Sequence, residues 1–511
     1  MPAIDSKVKG FLSTDAEVPS KLSINENDAD QALKFVRGQV FELDTETNKR
    51  VLRKIDWHLL PLMCTLYLLQ YLDKTALSYA AIMGLKTDTN LNTYQYGWIG
   101  SIFYAGYLIF EYPHNFLLQK LPATKYLSTC IILWGLVLCC MAACKNYPSL
   151  MVVRAFLGAL EGSVTPGFVL ITARWYRADE QTNRIGIWFS FNGVSAIVGG
   201  AVAYGIAQGL ENNPRITYPG WKIIFILCGL LTSCFGAGLW FMPNTILDAK
   251  WLTEEEKLAA IERIRSNQQG LGNRKFKKDQ FKEALTDIRT WLYFLFTLAC
   301  EIPSGGITVF FTLLISGYGF STTETLLISM PSGLVQLTTT FIFCWLAHKL
   351  HNRALVAALS MLLSIFGPSL MVGLATPSNP LRARIGQLVG YYITIGNSSP
   401  AFIIILGMIA TNCAGYTKKV TVNALNLIAY CVGFLVGPQI FRDGPTYRKA
   451  KLGVIGCWIV SFLCCLALYL VNRRENQRRG LKATVEGVEV LPDSEFLDRT
   501  DMQNQNFRYA V

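Results

Sequence analysis

The sequence predicts an all-α membrane protein, with twelve transmembrane helices in two six-helix halves. Apolar runs of about 20 residues or more, long enough to span a bilayer, fill most of the chain between Trp57 and Val471. Charge collects elsewhere: in the first 55 residues, the last 40, and a central stretch over 245–289. The chain of 511 residues is 51% apolar, yet its mean hydropathy is only +0.32. These observations argue against a soluble enzyme, a disordered chain or a fibre. The net charge of +12 does not read as a nucleic-acid footprint either, because cytoplasmic membrane loops normally carry excess Lys and Arg.

The chain divides into five parts: an N-terminal tail (1–55), a first bundle (56–242), a linker (243–289), a second bundle (290–472) and a C-terminal tail (473–511). The start of the chain lacks the short apolar core of a cleaved signal peptide and reads as a polar tail. Lys49, Arg50, Arg53 and Lys54 precede the first span, and Arg473, Arg474, Arg478 and Arg479 follow the last. Basic clusters at both ends predict cytoplasmic termini and hence an even number of spans.

The spans are expected at 58–81, 94–118, 125–144, 149–173, 184–208 and 221–242, then at 290–315, 324–347, 354–375, 387–411, 421–441 and 451–471. Two connections on the predicted outside break the charge rule: one holds Pro377, Pro380, Arg382 and Arg384, the other Arg442, Arg448, Lys449 and Lys451. The inside loops still carry more Lys and Arg in total. In the linker, Thr253 followed by Glu256 forms a capping box. Leu258, Ile261 and Arg265 then follow at helical spacing, predicting a short amphipathic helix before the Lys-rich run RKFKKDQFKE. Most of the fourteen cysteines lie within apolar runs and read as small buried hydrophobes. With four histidines and no ligand spacing, no metal site is expected.

The two halves carry a short repeat at matched positions. Leu117-Leu118-Gln119-Lys120-Leu121 follows span 2, with Lys125 beyond; Leu346-Ala347-His348-Lys349-Leu350 follows span 8, with Arg353 beyond. Two six-span halves related in this way resemble the major facilitator architecture. Neither copy carries the acidic residue that the superfamily's loop motif expects.

More specific motifs run through nearly the whole membrane portion. They are Arg53-Lys54-Ile55-Asp56, Tyr71 to Leu77, Glu111-Tyr112-Pro113 with Asn115, and Arg154, Gly158, Glu161 and Pro166. In the second half come Asn412, Ala414, Gly415, Thr417, Lys418 and Lys419, then Gly437-Pro438-Gln439 with Asp443, Pro445 and Tyr447. Together and in this order they resemble the anion:cation symporters of the major facilitator superfamily, and among these the fungal allantoate-permease-like group.

An ionisable residue near the bilayer centre costs about 2.5–3.5 kcal/mol on insertion scales, so it needs a partner or a hydrated cavity. Asp73 and Lys74 in span 1 and Arg154 and Glu161 in span 4 stand out. Arg154 and Glu161 are almost two turns apart on one face, about 10 Å along the axis, so each can meet a charge from another helix. Packing would account for Arg154 near a boundary and snorkelling for Lys74. The resemblance implies more: Glu161 as leading proton carrier with Asp73 second, and Arg154 and Lys74 as the cations that hold a carboxylate or neutralise the acids. Glu301, before Pro303, and Asn397 are weaker substrate-binding candidates. Glu111 and His114 read as a gate or interface contact. Tyr104 and Tyr107 read as core aromatics ahead of cavity residues, and Gly199, Gly200, Gly205 and Gly209 as close helix packing.

The expected function is proton-coupled import of a small organic anion by alternating access, the resemblance implying allantoate, another ureide, a vitamin-like acid or a small peptide. No cofactor and no enzymatic activity are expected, since no nucleotide loop, nucleophile motif or metal set is present. The expected partners are the anion, protons and the bilayer, with no nucleic acid, in a monomer at the plasma membrane. Efflux of a drug or secondary metabolite is one alternative. Span 5 argues against it, having no proline between Arg184 and Asn213 where exchangers of the superfamily commonly carry Gly-Pro. A non-transporting nutrient sensor is another alternative, disfavoured by the short tails.

Overall fold

A computed structural model of the protein describes residues 44–213, 215, 217–265, 276–375, 380–444, 446–486 and 499–511. Residues 1–43 of the expected N-terminal tail, Pro377, Pro445, residues 274 and 275 of the Lys-rich run and residues 487–498 of the expected C-terminal tail lie outside the described residues. The described residues contain helices and no strand.

The first half comprises α1 (Thr45–Ala80), α2 (Thr93–Lys120), α3 (Ala123–Cys140), α4 (Tyr147–Glu161), α5 (Val164–Trp175), α6 (Ala178–Asn212) and α7 (Gly220–Trp240). The linker holds α8 (Glu254–Arg265) and α9 (Lys278–Thr286). The second half comprises α10 (Ile288–Ser316), α11 (Thr322–Ser329), α12 (Pro331–Leu350), α13 (Arg353–Gly373), α14 (Pro380–Asn412), α15 (Tyr416–Val436) and α16 (Arg448–Glu486). Twelve spans result because α4 and α5 run on as one, as do α11 and α12. Ten of the spans are apolar and long enough to cross a membrane. The other two, α1 and α2, have the length at 36 and 28 residues, but α1 carries Arg53, Lys54, Asp56, Asp73 and Lys74, and α2 is rich in tyrosine.

Several helices differ from the expected spans for local reasons. Span 4 breaks at Gly162-Ser163, directly after Glu161. Pro166 has no N–H to return to the Gly162 carbonyl, so the backbone bond of an unbroken helix is missing there. Pro331 interrupts span 8 in the same way. α1 begins well before residue 58, with Asp44 capping Glu46 N, and its basic first turns project towards the linker. There Lys54 Nζ meets Glu256 Oε1 at 2.7 Å. The capping box forms, with Thr253 N donating to Glu256 Oε2 (3.1 Å) and Glu256 N to Thr253 Oγ1 (3.3 Å). α8 buries Ala259, Ala260 and Ile261 and is pinned to the first half again through Arg263 Nη2 and Glu180 Oε1 at 2.7 Å. The last helix runs past residue 472 to Glu486.

The described hydrogen bonds that join the two six-helix halves lie towards the end opposite the linker. Tyr96 Oη donates to Val309 O (2.7 Å), Ser78 and Thr312 exchange hydroxyl contacts at 2.9 Å, and Ser101 Oγ donates to Leu435 O (2.6 Å). Glycine allows this approach: a Cβ at Gly97 would lie 3.1 Å from Pro438 O, and one at Gly100 would strike Val309. The halves are therefore closed at the far end.

Candidate functional site

Four ionisable side chains meet inside the first half. α1 presents Asp73 and Lys74 on adjacent faces, and α4 presents Arg154 and Glu161 towards them. Lys74 Nζ lies 3.0 Å from Glu161 Oε1, and Arg154 Nη1 lies 3.6 Å from Asp73 Oδ1. Glu161 and Asp73 are wholly buried, Arg154 is 2% exposed, and the Lys74 side chain keeps 16% of its surface. Lys74 is thus the member that reaches open space, with Glu161 behind it.

The setting is under-satisfied. Beyond the two ion pairs, Asp73 Oδ1, Arg154 Nε and Nη2, both Glu161 oxygens and Gln70 Nε2 are buried with no further described hydrogen bond. An unmade bond at a buried polar atom costs about 1–3 kcal/mol, so this cluster is a costly arrangement for the fold. Gln70 stands one turn before Lys74 on α1 and lies on the Glu161 side. The Arg154 guanidinium also sits 5.9 Å from the Phe103 ring.

Neighbouring helices hold the quartet in place. Trp134 on α3 donates its indole N–H to Asp73 Oδ2 at 2.7 Å and is itself fully buried. Nothing in the sequence marks Trp134 among the eleven tryptophans; only the rule that a buried indole N–H seeks an acceptor could have raised it. His114 on α2 bonds through Nε2 to the carbonyl of Ala159, and through Nδ1 to Tyr126 Oη at 2.7 Å. A carbonyl only accepts, so Nε2 carries a proton. His114 is therefore an α2–α4 contact two residues from Glu161. Glu111 bonds Asn115 Nδ2 at 3.3 Å one turn away. Gly158 lets α2 and α4 touch, because a Cβ there would run into the backbone of Phe103.

The other predicted substrate-binding residues, Glu301 and Asn397, lie in the second half. Glu301 is buried on α10, and a Cβ at Gly433 of α15 would come within 2.8 Å of its own Cβ. It lies within electrostatic reach of Tyr71, and Tyr104 lies within reach of both Glu161 and Glu301. The Tyr104 ring packs at a tilt against Phe434 across the two halves (centroids 4.5 Å apart), and its buried hydroxyl has no described hydrogen-bond partner. Tyr107 instead lies 6.0 Å beneath Lys74 Nζ. Asn397 donates to Ile393 O one turn back (2.9 Å) and accepts Ser360 Oγ at its own carbonyl (2.5 Å). It is thereby placed in the α13–α14 contact, with no described bond to the quartet. No group of three or more potential metal ligands occurs among the described residues.

The sequence pattern of the Major Facilitator Superfamily matches residues 63–438. The chain is 42% identical to the "Uncharacterized transporter C417.10" of Schizosaccharomyces pombe, over 92% of this chain and 91% of that one. It is 38% identical to the "Allantoate permease" of Saccharomyces cerevisiae, over 99% of this chain and 95% of that one. Among solved structures it is similar to a bacterial homologue of the human lysosomal transporter Spinster in an inward-facing, unoccupied conformation. The TM-score there is 0.59 at 17% identity, covering 84% of this chain and 98% of that one. With two six-helix halves, a paired charge cluster inside the first and these relatives over almost its whole length, the chain belongs to the major facilitator superfamily, within the group of fungal transporters that includes allantoate permease.

Proposed function

We propose that the protein imports a small organic anion together with protons across the plasma membrane, with both termini in the cytoplasm. The observation that carries this reading is the Lys74–Glu161 pair at 3.0 Å, in which the acid is wholly buried and the cation partly open. Protonating Glu161 removes the charge that holds Lys74, and the freed ammonium then takes the carboxylate of the incoming anion. When the proton leaves Glu161, Lys74 is recaptured and the anion loses its counter-charge. Asp73 is the second acid. Its contact with Arg154 is long at 3.6 Å, leaving Nε and Nη2 of Arg154 free to hold a carboxylate oxygen. Lysine at position 74 suits an exchanging point charge better than a rigid bidentate fork.

Glu301 of the second half and Tyr104 of α2 are proposed to face the same space, and Asn397 to set the position of α14. Closure at the far end corresponds in this orientation to the state that releases substrate to the cytoplasm. Bringing an anion in against an inside-negative potential costs about 2.3 kcal/mol per charge per 100 mV, so cotransport of more than one proton per monovalent anion makes uptake electrically favourable. The similarity to an allantoate permease supports a carboxylate of the ureide or vitamin-like kind.

The test is uptake of labelled candidate acids by cells carrying the protein, with and without a proton uncoupler, beside Glu161→Gln. Uncoupler-sensitive accumulation that Glu161→Gln abolishes, with membrane delivery intact, is expected. Proton-driven accumulation by Glu161→Gln at the normal level would remove that residue from the mechanism.

A further inference from the structure

The loop motif between α14 and α15 (Asn412, Ala414, Gly415, Thr417, Lys418, Lys419) lies far from the charged quartet, at the end of the second half next to the linker. The chain's own residues 499–511 lie across it. Asn412 bonds Ala510 twice, its Nδ2 donating to the carbonyl (2.9 Å) and its Oδ1 accepting from the amide (2.7 Å). Ala414 N donates to Asp501 Oδ1 at 3.3 Å. Gly415, at φ 84°, lets Thr500 approach: a Cβ there would sit 2.9 Å from Thr500 Cγ2. Lys418 Nζ, 1% exposed, meets three carboxylates, namely Asp287 (2.8 Å), Asp501 (2.9 Å) and Glu283 (3.0 Å).

α9 joins the same network. Thr500 Oγ1 donates to Glu283 Oε2 at 2.8 Å, and Thr417 N donates to Gln280 Oε1 at 3.0 Å. Tyr509 closes the other side. Its ring lies 3.9 Å from the Arg289 guanidinium carbon, and its hydroxyl donates to Asp501 Oδ2 (2.8 Å) while accepting from Arg479 Nη2 (3.2 Å). Asn476 on α16 pairs both backbone groups of Tyr509, and Arg353 N at the start of α13 donates to Val511 O. Three buried cations (Lys418, Arg289, Arg479) thus share one network with four carboxylates (Glu283, Asp287, Asp501, Glu475). The described partners of the segment all belong to the second half or to α9.

We propose that residues 499–511 are an intramolecular strap, and that the loop 412–419 is its docking site. The strap fastens α9 to the second half so that α9 moves with that half, while α8 moves with the first. The second part follows from the pins on α8, Lys54–Glu256 and Arg263–Glu180. The strap is a brace and not a gate between the halves, since relative motion of the halves leaves its contacts intact. Only the assembled fold brings these six regions together, at sequence separations that include 217 residues between Glu283 and Thr500.

The test uses the purified full-length protein and needs no transport substrate. Lys278 and Lys282 are exposed on α9, so their tryptic cleavage reads local opening of that helix, with Lys257 on α8 as internal control. Tyr509→Ala, and separately deletion of 499–511, are expected to raise cleavage at Lys278 and Lys282 at least fivefold and to leave Lys257 unchanged. Equal protection of α9 in both would overturn the proposal, and so would equal acceleration at Lys257. A second arm is needed where those variants do not yield monodisperse protein. Thr500→Cys with Glu283→Cys, in the otherwise unaltered chain, should form the 283–500 disulfide in most molecules under mild oxidation, read by mass spectrometry. A yield below a tenth would overturn docking.

Discussion

Replacing Asp73 with asparagine tests whether the buried charges of α1 and α4 act as pairs. The Arg154 guanidinium is 2% exposed and its described carboxylate partner is Asp73 at 3.6 Å. At that separation and an effective dielectric of about 20, two unit charges attract by roughly 5 kcal/mol. Removing one member of a buried pair typically costs about 3–5 kcal/mol, because the other charge is left without compensation. The side-chain amide introduced by Asp73→Asn would still accept the Trp134 N–H, so the lower part of that range, about 3 kcal/mol, is expected. Removing both charges in Asp73→Asn/Arg154→Met should bring stability back to within about 1 kcal/mol of the parent, since neither ion is then stranded. The assay is reversible denaturant unfolding of the purified protein, read for the parent, both single variants and the double variant, so that the cycle isolates the coupling. Uptake is measured in parallel, and the double variant should be stable yet inactive. An Asp73→Asn protein as stable as the parent would refute the reasoning, as would a double variant whose loss equals the sum of the two single losses.

Two further outcomes follow from the same geometry. Gly158→Ala places a methyl group against the Phe103 backbone and should force α2 off α4, costing about 1–3 kcal/mol by overpacking; uptake should fall without loss of delivery, and a normal rate would show that this contact does not position Glu161. Burial pushes the Glu256 carboxyl up, but the bonds from Lys54 and the Thr253 backbone and the charge of Arg50 outweigh it and hold the group below its ordinary value. The α8–α1 tie is therefore fully present above the ordinary carboxylate range and is lost as pH falls below about 4; amide exchange over 254–265, corrected for intrinsic rates, should rise on acidification in the parent and be insensitive to pH in Glu256→Gln.

Much of this protein was legible along the chain because a bilayer imposes a one-dimensional rule. A segment that crosses hydrocarbon must satisfy its own backbone, so each span is a helix that shows as an apolar run of set length. Charges inside such runs are costly, so Asp73, Lys74, Arg154 and Glu161 stood out against their surroundings. The same rule set the class of fold and the two-part repeat. It also left limits: helix ends beyond the membrane follow caps and tertiary contacts, which is why α1 starts early and α16 ends late.

The pairing of the charges was decided only by the folded chain. Sequence spacing put Arg154 and Glu161 on one face of α4, but the crossing of α1 and α4 set Lys74 against Glu161 and Arg154 against Asp73. Trp134 had no mark at all, because its partner is 61 residues away and an indole in an apolar run looks like any other. Glu301 and Asn397 carried similar sequence signals, yet packing gives them different surroundings: Glu301 lies near the tyrosines between the halves, and Asn397 is tied to its own helix. The loop 412–419 was visible as a motif, while its purpose depended on residues 499–511 coming back to it. Composition and periodicity therefore determine which segments span the membrane and which residues are too costly to be there by chance. Which of those residues meet depends on helix crossings, and contacts such as Gly158 on Phe103 join partners that no pattern along a single chain pairs.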